Sequence, residues 1–116
     1  MRGHTPDRSN IARGRWGEDL AARHYERLGY TVIDRNWRSS TGEIDLVVER
    51  DGVVVISEVK ARRTGRHGVP AEAVGVVKQR RLRLLAVEWL RAHERPRSSL
   101  RFDVVSITGT DLVVYE

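Results

Sequence analysis

Residues 42–62 read GEIDLVVERDGVVVISEVKAR, two apolar runs joined at Asp51-Gly52. Asp-Gly between alternating hydrophobics is the strongest short-range signal for a two-residue hairpin turn. If Arg50 faces Val53 across that turn, Glu49 faces Val54, and the ladder continues until Asp45 stands opposite Glu58. Side chains alternate across a strand, so Asp45, Val47 and Glu49 share one face with Val54, Ile56, Glu58 and Lys60. Ile44, Leu46, Val48, Val55 and Val59 make the other face apolar as well. Strands covered on both sides belong inside a sheet.

Directly opposed strand residues have Cβ atoms about 4.5–5.5 Å apart. Two carboxylates at that separation repel each other, and burial raises the cost. A divalent cation between them removes the conflict. Mg²⁺ or Mn²⁺ suits an all-oxygen site built from one or two carboxylates, waters and substrate phosphate oxygens. Lys60, two residues beyond Glu58, projects from the same face, where an ammonium holds an attacking water or neutralises phosphoryl charge. The rival reading is an ion-pair network at the surface, and the Asp45 register weighs against it.

Working outward, the apolar residues Trp16, Leu20, Ala21, Tyr25 and Leu28 recur at helical spacing and end at Gly29. Residues 30–37 (YTVIDRNW) predict a first strand, and residues 38–42 a polar loop. After a basic loop over residues 62–68, a second helix is expected from Pro70 to about Ala92. Its predicted buried stripe is Val74, Val77, Leu82, Leu85, Ala86, Trp89 and Leu90. Residues 101–108 and 112–115 predict a last pair of strands around Gly109. The order is αβββαββ, an α/β layered domain. Residues 1–14 are expected as a flexible basic arm, and residues 15–116 as a single domain.

The motifs GEIDL (42–46) and SEVKAR (57–62) resemble the D…(D/E)xK signature of the restriction-endonuclease-like nuclease superfamily. More closely, the chain resembles the YraN-type bacterial family, which is related to archaeal Holliday-junction resolvases. The likeness extends over Gly17-Glu18, Tyr30, RNWR (35–38), KQRRL (78–82) and RFDVV (101–105). It implies an αβββαβ core with a mixed central sheet flanked by two helices, and Mg²⁺- or Mn²⁺-dependent hydrolysis of DNA, branched or structured DNA included. It also implies Asp45, Glu58 and the Val59 carbonyl as metal ligands and Lys60 as the catalytic lysine. Glu18 matches an acid that points into the same site in resolvase-like relatives, and Gln79 a supporting polar residue. Ile44 stands where the superfamily's nominal motif has proline. Related resolvases act as symmetric dimers, so a homodimer is compatible with the resemblance.

The chain of 116 residues carries a net charge of +5 and a pI of about 10.4, which points to a polyanionic partner. Between Lys60 and Arg83 stand eight Lys or Arg residues and one acid, Glu72. Arg62, Arg63 and Arg66 are candidates for phosphate contact near the scissile bond, and Lys78, Arg80, Arg81 and Arg83 for tracking a phosphate backbone. Arg38 beside Trp37 joins this candidate interface. Asp103 is expected to pair with an arginine, Glu43, placed on the face opposite Asp45, to support the site from behind its ligands or to be a turn residue, and Trp16 and Trp89 to pack in the core. With no cysteine, cysteine-type zinc sites and disulfides are excluded, and a cytoplasmic setting is expected. The four histidines show no metal-ligand spacing. Residues 1–15 carry no apolar run of a signal peptide, and no run approaches the ~18 apolar residues of a membrane span. The rivals to a nuclease are a nucleic-acid-binding module of the same fold without turnover, and a basic protein-interaction domain.

Overall fold

A computed structural model describes residues 8–62, 75–96, 99–109 and 111–116. The elements are α1 (Arg8–Arg27), β1 (Thr31–Arg38), β2 (Glu43–Arg50), β3 (Val53–Arg62), α2 (Val76–Ala92), β4 (Ser99–Thr108) and β5 (Asp111–Tyr115). The sheet order is β1-β2-β3-β4-β5. Every neighbouring pair is antiparallel except β3–β4, which is parallel and is bridged by α2. This is the expected mixed sheet with an αβββαβ order at its core.

The hairpin register is the one read from sequence: Arg50 faces Val53, Glu49 faces Val54, and the ladder runs to Leu46 opposite Ser57. Asp51 and Gly52 have φ of +51° and +81°, the left-handed pair that a two-residue turn with the strands' own twist demands. Alternation then divides the apolar residues between two layers, with one exception: Ile44, expected on the face of Leu46 and Val48, packs in the α2 layer instead. Val47, Val54 and Ile56 pack with Leu82, Leu85, Ala86, Trp89 and Leu90 of α2. Leu46, Val48, Val55, Val105 and Ile107 pack with Ala21, Ala22 and Tyr25 of α1.

Three sequence expectations need correction. The first helix begins at Arg8, so residues 8–14, read as part of an arm, are helical. Extending an existing helix adds one hydrogen bond per residue fixed, without a second nucleation cost. Residues 1–7 lie outside the described set. Trp16 is 45% exposed and Leu28 49%, not core. The buried stripe of α1 starts at Gly17 instead. A Cβ there would meet Ala61 Cβ at 2.8 Å, so the missing side chain lets the helix lie directly on β3. Trp16, about 100° round the helix from Gly17, is turned outward. Val77, placed in the stripe of α2, is 71% exposed. The stripe passes one residue along it, through Lys78, and Val74 lies outside the described residues.

On the α1 side a buried polar network ties three elements together. The Tyr25 hydroxyl donates to Asp103 Oδ2 at 2.7 Å and lies 3.0 Å from Ser57 Oγ. Arg101 Nε and Nη2 donate to the two oxygens of Asp103 at 2.9 and 3.0 Å, the arginine pair expected for this acid. Burial, and next the bond to Asp103, push the Tyr25 hydroxyl pKa well above its usual range. Tyr25→Phe leaves Asp103 one charge-assisted bond short, and a loss of about 1–3 kcal/mol is expected. Urea unfolding of the two proteins measures it, and equal midpoints would remove this network from the account of stability.

Candidate metal centre

The β2–β3 ladder stops at Leu46–Ser57, one pair short of the carboxylates. Beyond it β2 continues beside β1 as far as Glu43, and β3 continues beside β4 as far as Arg62. Asp45 and Glu58 are therefore not a ladder pair as the sequence predicted. At this fork the Val59 N–H donates to Asp45 Oδ2 at 2.8 Å, so a side chain takes the bond that a backbone carbonyl would have taken. Two acids facing each other inside a ladder would repel; opening the strands there relieves that contact.

Both acids nevertheless line one cleft. Its volume is about 220 Å³, and its walls are Gly42, Glu43, Asp45 and Glu58 on one side and Lys78, Arg81, Leu82 and Leu85 of α2 on the other. Acids meet cations across a narrow gap.

Burial raises the Asp45 carboxyl pKa to about 6; the Val59 N–H opposes the rise, and Glu18, Glu58 and Glu43 add to it. Glu58 Oε2 meets Lys78 Nζ at 2.5 Å and Lys60 Nζ at 3.9 Å. Its other oxygen, Oε1, is buried without a hydrogen-bond partner among the described residues. A buried carboxylate oxygen left bare costs on the order of 1–3 kcal/mol, more when charged. Such an atom is what a hard cation would satisfy.

The remaining candidates fall at varying distances from this centre. Glu18 sits within electrostatic reach of Asp45, yet its own partners are Asn36 and Arg35, the latter at 3.8 Å. Burial leads the causes that raise its carboxyl pKa. Arg35 also pairs with Asp19 at 2.7 Å. Glu43 lines the cleft and pairs with Arg38 at 3.4 Å on the exposed side. Gln79 lines a different pocket, about 370 Å³, across α2 and against Leu100, Phe102 and Val104. Arg62 closes β3, and Arg63 and Arg66 lie outside the described residues. Among the described residues no group of three His, Cys, Asp or Glu side chains stands close enough to hold a metal. Any ion here would rest on two carboxylates, backbone oxygen and solvent.

A match to a protein-family model covers residues 17–107, with the description "Uncharacterised protein family UPF0102". The chain belongs to this family. A UPF0102 protein of Rhodococcus opacus is 56% identical over 98 residues, 84% of this chain and 83% of the relative. One from Renibacterium salmoninarum is 49% identical over 100 residues, 86% and 85% of the two chains. Another, from Syntrophotalea carbinolica, is 44% identical over 98 residues, 84% and 79%. UPF0102 is the YraN-type family that the motifs resemble, and the matched span takes in the whole cleft.

Two positioning contacts in this UPF0102 chain were not visible in its sequence. Lys78 was assigned to a phosphate backbone, but its ammonium lies against Glu58. The available signal was spacing, since Lys78, Leu82, Leu85 and Trp89 continue one buried stripe. Glu88 accepts from the Ser39 and Thr41 hydroxyls, each at 2.6 Å, and those bonds hold its carboxyl pKa below its ordinary value. It thereby pins the β1–β2 turn, which carries Gly42 and leads into Glu43, against α2. No helix among the described residues is long and apolar enough to cross a membrane.

The folded chain holds the Asp45 proton to higher pH than the unfolded chain, whose carboxyl titrates near 3.8. The stability associated with this position is thus lost as pH rises from about 4 to about 6. Asp45→Asn keeps an acceptor for Val59 and is expected to be the more stable protein above pH 6, by about 3 kcal/mol. The difference should vanish below about pH 4. Denaturation at pH 3.5, 5 and 7.5 checks it; a gap that does not change with pH would show that Asp45 is not held against its ionisation.

Proposed function

We propose that the chain is a divalent-metal-dependent phosphodiesterase acting on nucleic acid, with DNA, branched or structured DNA included, as its substrate. The observation that carries this reading is the pair Asp45 and Glu58 lining one cleft, with Glu58 Oε1 buried and bare. The resemblance to the D…(D/E)xK nucleases and the net charge of +5 support it. A cytoplasmic setting beside DNA fits the same reading.

Asp45 and Glu58 would hold Mg²⁺ or Mn²⁺. The Val59 carbonyl is a third oxygen: in a strand a residue's N–H and C=O leave by the same edge, and the Val59 N–H already points at Asp45. A bound divalent ion supplies charge screening of the phosphodiester and a more acidic water. Lys60, on the face it shares with Glu58, orients the nucleophile and offsets the negative charge that grows on the phosphoryl oxygens. Glu18 raises the affinity of the neighbouring acids for positive charge. Lys78 and Arg81 present cations on the opposite wall, where phosphates would run.

One observation favours a second reading, a module that grips nucleic acid without cutting it. Lys78 already neutralises part of Glu58, so the cleft is partly charge-balanced as it stands. The two readings separate on a cleavage panel of single-stranded, duplex, flapped and four-way DNA with Mg²⁺ or Mn²⁺. The expected result is metal-dependent cleavage of at least one substrate, abolished by Asp45→Asn, Glu58→Gln and Lys60→Ala with the fold retained. Binding that weakens steeply with salt, ignores Mg²⁺ and yields no product would favour the gripping module. Cleavage surviving all three substitutions would move the active site elsewhere.

A further inference from the structure

Glu58 divides its oxygens between opposite circumstances. Oε2 takes Lys78 Nζ at 2.5 Å, while Oε1 is buried with no partner among the described residues. On the proposed function, on which this inference rests, a divalent cation would seek the same carboxylate. An ammonium on Oε2 and a divalent ion on Oε1 would sit side by side on one carboxylate, and their like charges repel. We infer that Lys78 is an exchangeable counter-ion: it neutralises Glu58 in the ion-free chain and is displaced by a divalent cation into the cleft, where its ammonium takes a phosphate of the nucleic acid.

Lys78 is built for exchange. It stands in the first turn of α2, and its ammonium ends a flexible four-carbon stem whose side chain is 27% exposed. Swinging outward moves it along the cleft wall toward Arg81, one turn on. Lys60, 3.9 Å from the same oxygen, is the weaker partner of Glu58. Arg81 lines the same cleft without an ion pair to either acid among the described residues. The pair Lys78 and Arg81 therefore separates direct exchange from the general repulsion that any cation near the site would exert on an incoming ion. The exchange also gives the protein a sequence of events, because the wall that receives phosphate gains a charge only once the floor has its metal.

Two measurements on the full chain test the inference. Mn²⁺ titrated calorimetrically should bind K78M about tenfold more tightly than the wild type, and R81M with little change. Binding to an uncut DNA duplex, followed against salt, should lose about 0.9 from its log–log slope in K78M when Ca²⁺ is present. In EDTA the slope should not change, because there Lys78 is held by Glu58. K78Q serves as a second variant should K78M fold poorly. Equal tightening in K78M and R81M, unchanged or weaker Mn²⁺ binding in K78M, or the same slope change with and without metal would each overturn the exchange. The site reading has its own control: Mn²⁺ binding must be lost in E58Q. If E58Q binds as the wild type does, or if neither wild type nor K78M binds at all, the metal centre falls and the exchange with it.

Discussion

A two-residue turn with both backbones in the left-handed region leaves β2 and β3 a single register, and that register sorts every side chain of the central strands. A slip of β3 by one residue against β2 would carry Val54 and Ile56 to the α1 layer, and Glu58 with them. The helices follow from that sorting, since each covers the apolar face it finds. The site follows too. Adjacent residues of β3 serve opposite purposes: Ser57 is sealed into the Tyr25–Asp103 network on one side, and Glu58 opens into the cleft on the other.

The cleft exists because the ladder stops where it does. A sheet continued through Asp45 and Glu58 would have placed two acids in repulsive contact and left no room between them. With the strands forked, the Asp45 side chain closes the opening by taking the Val59 N–H. Charge then accumulates in layers, with carboxylates on the sheet, one lysine beside them and further cations on α2. The polar network on the far side of the sheet differs in kind. Each oxygen of Asp103 is matched by donors from Tyr25 or Arg101, whereas Glu58 keeps one bare oxygen. A satisfied network holds structure, and a buried oxygen left bare costs stability.

Much of this was legible in the sequence because it depends on local rules. Asp51-Gly52 names its own turn, alternation names the two faces, and GEIDL with SEVKAR names the acids and the lysine. What escaped reading depends on contacts across the fold. Gly17 marks a close approach of α1 to β3, but a residue without a side chain leaves no mark in a hydrophobic pattern, and the pattern alone points to Trp16 and Leu20 instead. On α2 the stripe enters through Lys78, and a charged residue in a buried stripe reads as an interruption when its partner is on another element. The end of the ladder was equally hidden, since nothing local says that β2 should leave β3 at Asp45. Nor does anything local announce that Asn36, at φ of +54°, bonds to Glu18.

The single parallel pairing, β3 with β4, has a kinetic consequence. Its partners, Val53 with Ser99 through Arg62 with Thr108, lie far apart in the chain and meet only after the long connection holding α2 has closed. The β2–β3 hairpin closes over two residues and forms on a far shorter timescale. The acids of the cleft are thus assembled early and the cations that face them late. Until α2 docks, Asp45 and Glu58 share one hairpin on which Lys60 is the nearby cation, so the docking of α2 is also the step that brings Lys78 and Arg81 to face them.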